Sequence, residues 1–199
     1  MAGLGVGLAL ASAPGPVQAV LVTEAVRGGL VRGFRAMAGA NLTFGLLLVG
    51  LALGISVAPP GGAALRVLKV AGGVLLVALA VDGFRSRRQA IDGSPGWRSL
   101  PPSVRGALAV VLNPGAWVFL GTAASSLLSG ATRLGGTGSA VLVALALLVG
   151  LAMGDGTVVL LGGVGVRRAG STVRAWVRTI LATLLAGLGV WLIVGGLIS

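Results

Sequence analysis

The 199-residue chain is 56% hydrophobic and only 10% charged, whereas soluble domains carry about 25% charged residues, so we interpret it as an integral membrane protein. Fifteen basic residues oppose four acidic ones, but they lie in the links between apolar runs, which argues against nucleic acid and for contacts with anionic lipid headgroups. The absence of Cys and His excludes disulfides, thiolate metal sites and the usual proton shuttles, so no cofactor and no metal are expected.

The first apolar run, residues 1–23, has no charged side chain and is long enough to cross a hydrocarbon core of ~30 Å. The sequence Ser12-Ala13-Pro14-Gly15-Pro16 interrupts it, and its prolines predict a kink or break. A break at membrane depth persists only where protein buries it or where it lines a cavity. A secretory signal peptide is the alternative interpretation, because small residues around Ala11 resemble a cleavage site, although no basic n-region precedes them.

Five further apolar runs predict membrane spans at about 36–65, 63–84, 106–132, 134–166 and 179–199. A turn at 59–62 ends the second span, and Leu112-Asn113-Pro114-Gly115 interrupts the fourth. Lys69 lies in the first turn of the third span, where we expect it to snorkel to the interface; the alternative is that it faces the protein interior. The longest polar stretch, 85–105, is predicted to be a loop with an interfacial piece around Trp97.

The links alternate in charge. Twelve of the fifteen basic residues lie in the first, third and fifth links, so the positive-inside rule places these links in the cytoplasm and both termini outside the cell membrane. The chain is predicted to be one membrane domain, in which a cytoplasmic link at about 86–105 joins repeats at about 1–85 and 106–199.

An internal similarity supports these repeats. Each half has a proline break in its first span, and its second span carries a similar string, at 36–43 and at 152–157. Because three spans is an odd number, the second copy would be inverted. The predicted fold is therefore all-α, with six transmembrane helices arranged as two inverted three-helix repeats whose first helices are broken at proline.

Together these motifs resemble the LysE/RhtB amino-acid exporters of the lysine exporter superfamily, over most of the chain. Ser12 to Pro16 is similar to the family's Ser-Pro-Gly-Pro, with one extra residue before the prolines. Similar matches occur at the link into the second helix, the start of the third helix and the break in the fourth: 27–33, 68–73, 106 and 112–114. Asp155 lies where the family keeps an acid, whereas Asn41 stands where it often has Asp, a departure that argues against a cationic substrate.

The resemblance implies a secondary transporter that exports an amino acid or a similar small zwitterion. A proton gradient or the membrane potential would supply the energy, since the chain has no P-loop. The helix N-termini after the breaks are candidates for binding a carboxylate. Asp155 has three candidate roles: it binds the substrate amine, carries a proton, or pairs structurally with a base such as Lys69. The predicted substrate-binding residues are Ser12, Pro14, Gly15, Pro16, Asn41, Asn113, Pro114, Gly115 and Asp155.

Two other functions are alternatives to export. A membrane-embedded enzyme would need paired acids or a nucleophile with its base within the spans, and the sequence predicts a single intramembrane acid, Asp155, so no enzyme is expected. A non-transporting membrane partner or assembly subunit with the same fold is the alternative, which measured flux would distinguish. The expected partners are the lipid bilayer and a small-molecule substrate, and a homo-oligomer is compatible with the sequence.

Overall fold

The computed structural model describes residues 2–13, 15–54, 62–85, 100–165 and 171–198, and every regular element in these ranges is a helix. Residues 59–61 of the predicted turn at 59–62 lie outside the described residues, as do Pro14 and residues 86–99 of the predicted loop at 85–105, with Trp97. In chain order the helices are α1 (Ala2–Ser12), α2 (Pro16–Ala52), α3 (Gly62–Arg85), α4 (Pro102–Val111), α5 (Pro114–Phe119), the π-helical segment π1 (Leu120–Ala124), α6 (Ser125–Leu160), the segment π2 (Leu161–Gly165) and α7 (Ser171–Ile198).

Among the described residues, four helical stretches are long and apolar enough to cross a membrane: Pro16–Ala52, Gly62–Val81, Pro114–Val164 and Thr179–Ile198. The first contains 37 residues and the third 51, which as straight helices would be about 55 and 75 Å long. A bilayer core is only ~30 Å thick. Neither stretch is straight, because each leaves helical geometry at an internal glycine.

These glycines adopt nearly the same backbone conformation. Gly29 in α2 has φ 78° and ψ −174°, and Gly136 in α6 has φ 71° and ψ −173°, a left-handed region that favours glycine. The bend in α2 is sharp, since a Cβ added to Gly33 would contact Ala25, eight positions earlier. The sequence predicted non-helical links at 27–35 and at about 133. In the structure both links are helical on either side of a short bend. Only Gly29 in α2, and Gly135 with Gly136 in α6, depart from helical φ and ψ angles.

Both predicted proline breaks are present. Helix α1 ends at Ser12 and α2 begins at Pro16, while α4 ends at Val111 and α5 begins at Pro114. A proline suits the first position of a helix because its missing N–H would have no intrahelical partner there. The breaks divide the predicted first and fourth spans into a short helix followed by the start of a long one.

Small residues determine how these helices pack. Helix α1 lies against the second half of α6, α4 against the second half of α2, and α3 against α7. A Cβ on Gly7 would collide with the carbonyl oxygen of Leu147, and one on Gly106 with that of Ala36. Gly73 and Gly189 face each other, each next to the other's carbonyl oxygen. Such close approach stabilises helices in lipid, where no hydrophobic force drives them together.

Lys69 in α3 is half-buried, and its Nζ donates to the carbonyl oxygen of Gly195, 3.4 Å away in the last turn of α7. A cation at a helix C-terminus is favourable because the carbonyl groups there have no intrahelical partners. Lys69 thus points at a neighbouring helix end and does not form the suggested pair with Asp155, whose hydrogen-bond partner is Asn41.

The contact between α4 and α2 is testable at Gly106. Gly106→Ala would push a methyl group into the backbone at Ala36, so we expect the free energy of unfolding to fall by about 1–3 kcal/mol. Gly130→Ala is the matched control, because no atom lies within 4 Å of its added Cβ, and we expect it to be neutral or to stabilise by about 0.5–1 kcal/mol. Denaturant unfolding in mild detergent measures both, and equal stabilities would contradict the close packing.

Candidate functional site

A cavity of about 250 Å³ lies between the two proline breaks. Its wall combines the end of α1, the first break, both halves of α2, the end of α4, the start of α5 and the second half of α6. The polar side chains in the wall are those of Gln18, Asn41, Asn113 and Asp155. The remaining wall is largely apolar, with Leu10, Val17, Phe44, Val110 and Leu151 among its side chains.

Asp155 and Asn41 meet in this wall. The Asn41 Nδ2 donates to Asp155 Oδ2 at 3.2 Å, and the two residues are 9% and 1% exposed, respectively. The two residues belong to the similar strings at 36–43 and 152–157, which this contact brings together. Asp155 Oδ1 and Asn41 Oδ1 are buried without a hydrogen-bond donor from the described residues. Two adjacent acceptors in a cavity wall suit a ligand that brings N–H donors, such as an ammonium group.

The two helix N-termini at the cavity differ in how they are capped. At α5 the Asn113 Oδ1 accepts from the Gly115 N–H at 3.0 Å, and the Asn113 carbonyl accepts from Ala116. The predicted carboxylate-binding donors at Gly115 and Ala116 are therefore already used, because Asn113 is an N-cap residue. At α2 the N-cap is Gly15, and no side chain of the described residues caps this helix start, a setting that suits an anionic ligand.

The structure brings six of the nine predicted residues to the cavity wall: Gly15, Pro16, Asn41, Asn113, Gly115 and Asp155. Ser12 is not among them; its hydroxyl is exposed and donates to the Leu8 carbonyl at 2.8 Å, as helical serines do when they bond to the preceding turn. Pro114 is buried in the first turn of α5 but does not line the cavity. Pro14 lies outside the described residues.

Gln18 is a cavity residue that the sequence interpretation missed. Its Nε2 donates to the Ala11 carbonyl at 3.4 Å, across the first break, and its amide is also a polar neighbour of the Asp155 carboxyl group. The signal was an isolated amide in an uncharged apolar run, two residues after Pro16. Gln18 therefore connects the two sides of the break next to the acid.

Glu24 was also missed, because the sequence interpretation made Asp155 the sole acid inside the membrane. Its side chain is only 1% exposed and binds two arginines: Arg105 Nη1 lies 2.7 Å from Oε1, and Arg32 Nε lies 2.6 Å from Oε2. These arginines were interpreted as topology markers, yet Arg105 is as buried as Glu24. The available signal was the position of the two charges: Glu24 directly follows the uncharged run 1–23, and Arg105 directly precedes the predicted span at 106–132.

Phe44 and Phe119 contact each other next to the cavity, with ring centroids 6.0 Å apart. Phe44 itself lines the cavity one helical turn after Asn41, and Phe119 lies one turn after the cavity residue Gly115. On each helix the phenylalanine lies farther from the bend at Gly29 than the cavity residue that precedes it. Aromatic contacts therefore adjoin the cavity on the side opposite Glu24.

Comparison with known proteins gives one family. The family model described as LysE type translocator matches residues 8–196. Neither a curated protein nor a solved structure matches the chain. The matched range includes both breaks, the Asn41–Asp155 contact and the Glu24 ion pairs.

The cap at the second break generates a stability prediction. Asn113→Ala removes the acceptor for the Gly115 N–H, so we expect the free energy of unfolding to fall by about 1 kcal/mol, whereas Asn113→Asp keeps an acceptor and should be close to wild type. Ser12→Ala, at the other break, is the control, because its exposed hydroxyl only bonds to its own helix. Thermal unfolding in detergent measures all three, and a stable Asn113→Ala variant would show that the cap contributes nothing.

Proposed function

The chain belongs to the LysE type translocator family, and from that premise we propose that it is a secondary transporter exporting an amino acid or a similar small zwitterion. The observation that carries this proposal is the buried Asn41–Asp155 contact in a cavity bounded by both proline breaks. Broken helices that meet at a cavity are the usual setting of a transport site. A proton gradient or the membrane potential would drive the export.

The proposed architecture is six spans in two inverted repeats. Three features support it: the breaks at matching places, the matching conformations of Gly29 and Gly136, and the exchange of short helices, in which α1 packs on α6 while α4 packs on α2. The reciprocal approach of Gly73 and Gly189 is what a pseudo-twofold axis between α3 and α7 would produce. With the basic links inside, Gly29 would lie on the cytoplasmic side and Gly136 outside.

In the proposed binding mode the substrate ammonium group donates to Asp155 Oδ1 and Asn41 Oδ1. Its carboxylate accepts from the first-turn N–H groups of α2 at Val17 and Gln18, which the helix dipole favours. The apolar side chains Phe44, Val110 and Leu151 would surround the substrate side chain. Within the described wall Asp155 is the single charged side chain, so one positive charge on the ligand is matched and a second is not.

Efflux measurements test this function. Asp155→Asn removes a charge-assisted hydrogen bond worth about 1.5–3 kcal/mol, so we expect efflux of a preloaded radiolabelled amino acid to fall roughly ten- to hundredfold. Thr157→Ala is the matched control on the same helix, since its exposed hydroxyl bonds only to the preceding turn. Full efflux by folded Asp155→Asn protein would remove Asp155 from the mechanism. No efflux of any zwitterion by folded wild type would favour the non-transporting partner.

Substrate charge is testable at Asn41. Asn41→Asp places a second carboxylate beside Asp155, about where Asn41 Nδ2 now lies 3.2 Å from Oδ2. We expect the efflux of lysine relative to a neutral amino acid to rise roughly tenfold, which is about 1.4 kcal/mol of preference, because two adjacent acids favour a ligand with two ammonium groups. Asn41→Ser is the uncharged control, and an unchanged ratio in both variants would contradict ammonium binding at this pair.

A further inference from the structure

A second cavity, of about 480 Å³, lies at the Gly136 end of the molecule, and we call it the Arg133 cavity. One wall is the end of α2, at residues 51–54, and the other is α6 on both sides of its bend. Leu48 in α2 and Leu120 in π1 lie between this cavity and the first one along the chain, and both are fully buried. The Arg133 cavity is therefore distinct from the proposed transport site.

The Arg133 cavity lies at the depth of the lipid headgroups. The proposed function places the two breaks, and with them Asn41 and Ala116, near the middle of the bilayer. Along the helices, residues 51–54 are about 15–20 Å beyond Asn41, and Arg133 is about 25 Å beyond Ala116. The hydrocarbon core ends about 15 Å from the middle, and the headgroup region ends about 20–22 Å from it. Because long helical side chains point back toward the N-terminus, we expect the Arg133 guanidinium group within the headgroup region.

Arg133 gives this cavity a positive charge that the described part of the chain does not balance. It is the charged side chain in the wall, and it forms no ion pair with any residue that the structure describes. The two carboxylate side chains that the structure describes are used elsewhere, since Glu24 binds two other arginines and Asp155 bonds to Asn41. The planar fork of an arginine matches a phosphate with two parallel hydrogen bonds.

The wall nearer the middle of the bilayer is apolar. Leu51, Leu53 and Leu128 line the cavity there. Leu53 is 61% exposed, and Leu134, next to Arg133, is 93% exposed. A cation at headgroup depth above exposed leucines is the arrangement that an amphiphile with an anionic head matches.

The hydroxyl groups in the wall add acceptors. Ser129 donates its proton to the Ser125 carbonyl, and Thr132 donates its proton to the Leu128 carbonyl at 3.0 Å. Each hydroxyl has one proton, so both oxygens are left with lone pairs that can only accept. They suit a headgroup that brings O–H or N–H donors of its own.

We propose that the Arg133 cavity binds a membrane phospholipid whose phosphate lies on the Arg133 guanidinium group. The start of one acyl chain contacts Leu51 and Leu128, and headgroup donors bond to Ser129 and Thr132. The inference rests on the proposed function for the depth of the cavity, and it adds a ligand that is not transported. A free anion lacks the apolar part of this ligand, and a neutral lipid lacks the phosphate.

The test uses soluble dihexanoyl phosphatidylglycerol as the probe. Dihexanoylglycerol lacks its phosphate, and glycerophosphate lacks its chains. The purified full-length chain in mild detergent is unfolded thermally at constant ionic strength with increasing concentrations of each compound. We expect the phospholipid to raise the unfolding midpoint saturably, by roughly 3–5 °C at ten times its dissociation constant. The other two compounds should leave the midpoint unchanged at the same concentrations.

Arg133→Gln should abolish the rise, and Arg133→Lys should retain part of it. Arg66→Gln is the matched control, because it removes the same charge from an exposed position in α3 that does not line this cavity, and it should respond as wild type does. No rise in wild type, an equal rise with dihexanoylglycerol or glycerophosphate, or loss of the rise in Arg66→Gln would overturn the proposal.

A full rise in Arg133→Gln would also overturn it. If that variant had a lower midpoint without probe as well, Arg133 would instead be a cation that stabilises the carbonyl end of α2. Efflux is scored separately on the same proteins. Phospholipid binding without zwitterion efflux would keep the lipid site and refute the transporter, while efflux without phospholipid binding would do the reverse.

Discussion

The backbone at the two proline breaks cannot be left unpaired in lipid, and the rest of the fold depends on that constraint. Each unsatisfied backbone group in hydrocarbon costs several kcal/mol, so α1 and α4 must be covered by the long helices. They are covered through glycine contacts such as that of Gly106 with Ala36. Where the broken ends meet, helical packing cannot fill the space, and the cavity results. The same interruption thus creates both a packing demand and the cavity that we propose as the binding site.

The buried charges must also find partners within the fold. Removing one partner from a buried ion pair costs about 3–5 kcal/mol, because a charge is left buried without that partner, and the pair of Glu24 with Arg105 joins α2 to α4. That pair adds to the glycine contact of the same two helices and fixes the Gly29 side of the cavity wall. Asp155 is different, because its polar neighbours, Asn41 and Gln18, are neutral amides. A buried acid without a cation is costly, and a cationic ligand would offset that cost.

Much of this arrangement could be predicted from local sequence, and the exceptions have a common cause. The prolines inside long uncharged runs predicted the breaks, because a proline acts on the backbone within a few residues. The family resemblance indicated Asp155. The ion pairs of Glu24 were not predictable, because Arg105 is 81 positions away and its side chain resembles any basic residue at the end of a span. Gln18 was missed for a similar reason: a single amide shows its role only when Ala11 and Asp155 are seen beside it.

The two proline breaks differ, and so do the two residues of the buried contact, in ways that matter for the proposed transport site. Asn113 caps α5 with its own side chain, whereas Gly15 leaves the start of α2 uncapped; Asn41 is neutral, whereas Asp155 is an acid. If both halves kept the capped break and the acid, the cavity would contain two carboxylates and no free donors, and a zwitterion would find no partner for its carboxylate. With one of each, the wall combines the Asp155 acceptors with the uncapped start of α2, which is the polarity that the proposed zwitterion would match.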